Sequence, residues 1–215
     1  MKKTFLTALF IVTILGCFAQ SKFGLFAGPQ ITSSKYTING KKQPNTAKYG
    51  FQSGANFKIP FENKLYFAPA AFYSLKGYNV KFNQPSFPPD SLAVDNNTRI
   101  HTFELAALLQ YDFNTNPCHF FIKFGPSLDF QLLGKEKFKR SNRTAGNQDM
   151  VFSFTKYNRY AANLLFQIGY ETKQGFTLSA HYTHGIGSIN NADFGPGILH
   201  RAAGISIGKY LAKKK

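Results

Sequence analysis

Residues 101–113 read HTFELAALLQYDF, and their alternation decides the fold. His101, Phe103, Leu105, Ala107, Leu109, Tyr111 and Phe113 hold the odd positions; Thr102, Glu104, Ala106, Leu108, Gln110 and Asp112 hold the even ones. Successive side chains of a strand point to opposite faces. This segment therefore reads as a strand with one greasy face and one mostly polar face.

The pattern spreads in both directions. After the turn at residues 114–117, Phe120, Ile122, Phe124, Leu128 and Phe130 alternate with Lys123, Gly125, Ser127, Asp129 and Gln131. Residues 160–171 set Tyr160, Leu164, Phe166, Ile168 and Tyr170 against Asn163, Gln167 and Glu171, and residues 176–183 repeat the scheme. Eight such segments are expected, near 22–32, 49–59, 64–80, 99–113, 118–133, 157–172, 175–187 and 198–211. Their connections alternate in length: short at 60–63, 114–117 and 173–174, long at 33–48, 81–98, 134–156 and 188–197. An even number of strands with short turns at one end and long loops at the other describes an outer-membrane barrel. The expected fold is an all-β, eight-stranded, antiparallel up-and-down transmembrane barrel with short periplasmic turns and long outer loops. Several segments exceed the ~9–11 residues that a tilted strand needs to cross the hydrocarbon, so they are expected to project beyond the outer surface.

Residues 1–20, MKKTFLTALFIVTILGCFAQ, have a Lys2-Lys3 start, an apolar stretch from Phe5 to Leu15 and a small-x-small site at Cys17-Phe18-Ala19. They read as a secretory signal peptide, which leaves residues 21–215 as the barrel domain. Lipidation at Cys17 is the alternative reading of the same segment. The 215 residues carry a net charge of +16, with 24 Phe, 11 Tyr and no Trp. That balance alone suggests nucleic acid, but an exported chain meets none in the cytoplasm, so its partner is another anion. With Cys17 removed, Cys118 is alone and no internal disulfide is possible.

On the polar, inward face the parity places Lys58, Lys76, Glu104, Asp112, Lys123, Asp129 and Glu171. Buried charges persist only when paired, so these residues are expected to form an ion-pair plug rather than a conducting path. The outer segments carry the basic excess, and Lys137, Lys139, Arg140 and Arg143 are the expected contacts to lipopolysaccharide phosphates among outer-membrane lipids. No cofactor or metal is expected: His181 and His184, three apart, fall on opposite faces of a strand. A lipid hydrolase using His184 and Ser188 lacks an evident third acid. A soluble exported barrel with a lipophilic ligand inside is the remaining rival, and it requires apolar side chains inward.

The stretches KFGLFAGPQIT (22–32), LYFAPAAFYSLKGY (65–78), TFELAALLQYDF (102–113), FFIKFGPSLDF (120–130) and HYTHGIGSINN (181–191) follow one another in an order that resembles the PorT-like, "porin family" of outer-membrane barrels. The resemblance implies a non-enzymatic barrel in the bacterial outer membrane with a structural or envelope-interaction role, linked to secretion or envelope assembly. The chain departs from that family in ending beyond Tyr210 on three lysines, and in building its aromatic belts without Trp.

Overall fold

The structure is a computed structural model that describes residues 21–142 and 144–211. The expected signal segment 1–20, with Cys17, lies outside the described residues. Eight strands close a ring: β1 (Lys22–Ile38), β2 (Asn45–Glu62), β3 (Leu65–Phe67 and Ala70–Lys81), β4 (Asp95–Ala106 and Leu109–Asp112), β5 (His119–Lys139), β6 (Tyr160–Glu171), β7 (Phe176–Gly185) and β8 (Gly197–Leu211). Each pairs antiparallel with its neighbour, and β1 closes the ring against β8, with Phe23 opposite Leu211 and Thr37 opposite Gly197. Closure leaves no unpaired sheet edge in the wall.

The breaks in β3 and β4 have a local cause. Pro69 and Pro126 bring no N–H to the ladder, although Pro69 still accepts from Phe57 and Pro126 from Ala107. A side chain at Gly125 would stand 2.1 Å from the Ala107 carbonyl oxygen, so this close approach requires glycine.

Most strands run further outward than the sequence reading placed them. β1 and β2 continue to a tight hairpin whose tip, Asn39-Gly40, has positive φ at both residues, the conformation a two-residue turn needs. The expected long loop 33–48 is therefore largely strand. Likewise Lys135, Lys137 and Lys139 lie on β5, paired on one side with β4 and on the other with a short strand, Ala145–Asp149. The expected outer-loop contacts Lys137 and Lys139 thus sit on a rigid ladder, because alternation and pairing continue past residue 133.

Burial divides the wall into two zones. In the lower zone Phe103, Leu105, Leu109, Phe124, Leu128, Ile168, Leu178 and Ile207 face outward and exposed, while Glu104, Asp112, Asp129 and Glu171 face inward and buried. That arrangement is the reverse of what a soluble ligand-binding barrel requires. Aromatic pairs bracket the zone. Near the short turns Phe120 meets Tyr170 at 4.9 Å and Tyr111 meets Phe113 at 5.8 Å; toward the loops Phe51 meets Tyr73 at 5.4 Å and Phe130 meets Tyr160 at 5.3 Å. From Tyr111 to His101 a strand rising ~3.3 Å per residue and tilted ~40° climbs about 25 Å, the height of an outer-membrane hydrocarbon band.

Above the band the chemistry inverts. Tyr36, Ile38, Tyr78, Val80, Ile100 and Ile198 point inward and join Met150, Tyr157 and Ile189 from the loops in a buried apolar cluster. Lys35 and Lys81 sit on outward positions of β1 and β3, and Lys137 and Lys139 on outward positions of β5 that alternate with the buried Glu136 and Phe138. Once the wall leaves lipid its outside meets water, so its inside packs as an ordinary protein core.

Candidate functional site

Six of the seven inward charges meet in two networks, one above the other. At the end with the short turns, Lys58 on β2 places Nζ 2.7 Å from Asp112 Oδ2 on β4 and 2.7 Å from Glu171 Oε2 on β6. His119 at the start of β5 brings Nε2 to 3.0 Å from Asp112 and 3.4 Å from Glu171, and Lys22 binds the other Glu171 oxygen at 2.9 Å. Higher in the lumen, Lys76 on β3 bridges Glu104 Oε1 on β4 and Asp129 Oδ2 on β5, both at 2.7 Å, and His200 Nδ1 stands 3.5 Å from Asp129. An apolar layer of Ala68, Phe72, Ala106, Leu108 and Leu165 separates the two networks. The lower network reaches across the lumen, from β2 to the opposite β6, the upper one joins β3, β4 and β5 and approaches β8, and Lys58 and Lys76 each bridge two carboxylates.

Lys123, the seventh, stands apart. Among the described residues it has no carboxylate partner; its ammonium lies 5.1 Å from the Phe121 ring centre. With the Asn56 amide oxygen turned toward it, the contact is 3.1 Å, an orientation chosen by hydrogen-bond logic. A small cavity of about 20 Å³ adjoins Lys123, Asn56 and Tyr210, room for roughly one water.

Sequence parity also could have named His119 and His200, which share their strands' inward phase. It could not have named Glu136. A bulge at Leu132, where His101 pairs with Leu133 but Thr102 with Gln131, shifts the phase of β5 by one. Beyond it the even residues turn inward, and Glu136 is buried beneath the outer apolar cluster. Its carboxylate accepts from Asn96 Nδ2 at 2.7 Å, from Gln148 Nε2 at 3.2 Å and from the Tyr157 hydroxyl, and among the described residues it has no cation within ion-pair distance. Burial holds this carboxyl above its ordinary value, against the lowering effect of the three hydrogen bonds and of Lys156.

A folded-state value above the unfolded one means that the neutral form is favoured in the folded cap. The resulting stability is fully present below about 4.5 and is lost as pH rises through the folded value. Protection of the amides of residues 82–94 and 150–159, taken relative to their intrinsic exchange rates, is therefore expected to fall as pH rises above about 4.5, and Glu136→Gln is expected to abolish that fall. A wild-type protection that stays level as pH rises would remove the effect.

Of the expected outer anion contacts, Lys137 and Lys139 are exposed on β5. Arg140 is engaged elsewhere: its Nε donates to Asp90 Oδ2 at 2.9 Å, which tethers the loop after β3. Arg143 lies outside the described residues. His181 faces the lumen beside Gln52 and Gln30, whereas His184 Nδ1 faces the Tyr182 hydroxyl on the outer wall. Ser188 Oγ accepts from the backbone N–H groups of Asn190 and Ile198. The structure thus gives each of the hydrolase candidates other partners.

The sequence profile of a family described as "Outer membrane protein beta-barrel domain" matches residues 18–191. No curated protein sequence matches the chain. Among solved structures it is similar to the outer membrane protein OprG from Pseudomonas aeruginosa, with 14% identity, a TM-score of 0.47, and coverage of 89% of this chain and 96% of that one. It is also similar to Ail, the attachment invasion locus protein of Yersinia pestis, solved in complex with the heparin analogue sucrose octasulfate (12% identity, TM-score 0.39, covering 87% and 98%). A third similar structure is Neisserial surface protein A, NspA (13%, 0.39, covering 87% and 96%).

Proposed function

Because the chain belongs to the family of outer membrane protein beta-barrel domains, we propose that it serves in the bacterial outer membrane as a closed, non-enzymatic barrel whose function resides on its outer surface. The role is structural or envelope-interacting, in the service of secretion or envelope assembly. Residues 1–20 are removed on export in the same proposal. Its outer cations meet phosphates of outer-leaflet lipopolysaccharide.

The observation that carries this reading is the filled lumen. An eight-stranded barrel is just wide enough to be packed by its own side chains. Here two ion-paired layers, an apolar layer and an apolar outer cluster follow one another along the axis. An ion in transit would have to break buried charge pairs. With no route through the barrel, the exposed surface is left to act.

Planar bilayers containing the refolded protein are expected to stay electrically silent. Stable unitary openings of ion-conducting size, reproduced across preparations, would contradict the closed-barrel reading.

A further inference from the structure

On one side of the barrel, outward residues just above the aromatic belt fall into register across five strands. Thr46 on β2 lies opposite Asn79 on β3, Asn79 opposite Asn97 on β4, Asn97 opposite Lys137 on β5, and Lys137 opposite Asn147 on the short outer strand. This row of amides crosses an open groove of about 710 Å³, and the buried Asn79 Oδ1 has no hydrogen-bond partner there. One step closer to the membrane, Gly77 pairs with Arg99 and Arg99 with Lys135. The Lys48 side chain lies across Gly77, its stem 3.3 Å from where a Cβ would stand, and its ammonium donates to Asn97 Oδ1 and to the Thr98 carbonyl.

Adjacent strands are only ~4.8 Å apart, so Lys48, Arg99, Lys135 and Lys137 form one cationic patch. None of them has an ion pair among the described residues. Burial lowers the pKa of Lys48, and the charges of Arg99 and Lys137 lower it further. Lys135 has Asp149 opposite it on the short outer strand, whereas Lys48, Arg99 and Lys137 face no carboxylate across the ladder, and the excess of positive charge favours an arriving anion. The opposite wall differs: Arg201 already donates to the carbonyls of Gly185 and His200 at 2.8 and 2.9 Å. Directly beneath the patch, Leu75 and Leu133 flank His101, and Tyr73 flanks Phe103, on the apolar lipid-facing wall.

We propose that this face of β2–β5 is a binding site for one phosphorylated glycolipid of the outer leaflet. Its acyl chains lie on the apolar wall, its phosphates meet Lys48, Arg99 and Lys135, and its sugars hydrogen-bond the amide row. Lys137 serves both rows. The site rests on the envelope-interaction reading above, but it moves the anion contact from the loop tips to the wall. A phospholipid offers phosphate and chains without sugar hydroxyls for the amides, which makes the glycolipid the better fit.

The test uses the full mature chain in detergent micelles, with native mass spectrometry to read retention of bisphosphorylated lipid A, its dephosphorylated form, phosphatidylglycerol and inorganic phosphate. Two variants of equal charge are compared: a wall variant, Lys48→Gln/Arg99→Gln/Lys135→Gln, and a tip variant, Lys139→Gln/Arg140→Gln/Arg143→Gln. Heat-modifiable gel mobility confirms that each is folded. Wild type is expected to prefer the bisphosphorylated glycolipid over the other three probes. The wall variant is expected to weaken that binding roughly a hundredfold, and the tip variant by no more than about threefold.

An unchanged wall variant overturns the site. If the tip variant alone loses binding, the broader envelope reading survives and the wall site falls. If wild type retains no anionic lipid, both fall. Equal retention of phosphatidylglycerol, or of inorganic phosphate with the same sensitivity to the wall substitutions, also overturns the glycolipid assignment.

Discussion

Lys76→Met is expected to lower the unfolding free energy of the barrel by about 3–5 kcal/mol, the usual cost of removing one member from a buried charge group. Methionine keeps most of the length and volume of lysine, so packing changes little. What is lost is, among the described residues, the only cation within ion-pair reach of Glu104 and Asp129, apart from the His200 ring at 3.5 Å from Asp129. Both carboxylates lie in the lumen at no more than 1% exposure, where solvent cannot take over the role of the lysine.

Urea unfolding of the protein in lipid vesicles reads the effect. Two controls separate charge from packing. The triple variant Lys76→Met/Glu104→Gln/Asp129→Asn removes the stranded charges and is expected to recover most of the loss, since replacing a whole buried charge group is often close to neutral. Lys123→Met, at the inward lysine without a carboxylate partner, is expected to cost less than about 1 kcal/mol or to stabilise. A loss at Lys123 as large as that at Lys76 would mean that the paired arrangement does not govern lumen stability.

The features most legible in the sequence were those set by strand parity within the membrane. The alternation through residues 101–113 places Glu104 and Asp112 inward and Leu105 and Tyr111 outward, and the structure has them there. The same reasoning located the rest of the inward charges, because a period of two does not depend on what the partner strand is. Three features were out of its reach.

Strand ends were one, since hydrogen bonding of the β1–β2 hairpin continues wherever the partner also continues, whatever its polarity. The bulge at Leu132 was another: one extra residue turns Glu136 from an apparent loop acid into a buried carboxylate, and nothing in the local composition marks it. The third was the inversion above the belt. Ile100 has the same parity as Thr102 and Glu104, yet it packs with Tyr36 and Tyr78 in an apolar cluster. Parity fixes which side a residue faces, whereas the solvent beyond the wall fixes which chemistry that side requires. The cationic wall shares this cause, because Lys48, Arg99 and Lys135 become neighbours only through register across separate strands.

A transmembrane barrel requires an apolar outer wall in contact with lipid, and single arginines placed at different heights on that wall probe the contact. Leu105 faces outward, 44% exposed, inside the apolar band, four residues from His101 at one edge and six from Tyr111 at the other. Asn97 faces outward on the same strand, above the belt. In vesicles, Leu105→Arg is expected to lower the unfolding free energy by about 2–4 kcal/mol, as for arginine at a bilayer midplane, and Asn97→Arg by no more than about 1 kcal/mol. In a water-exposed wall both substitutions would be mild. A steep fall at Leu105 with little change at Asn97 is the predicted result; equal and small costs at the two positions would contradict the transmembrane barrel.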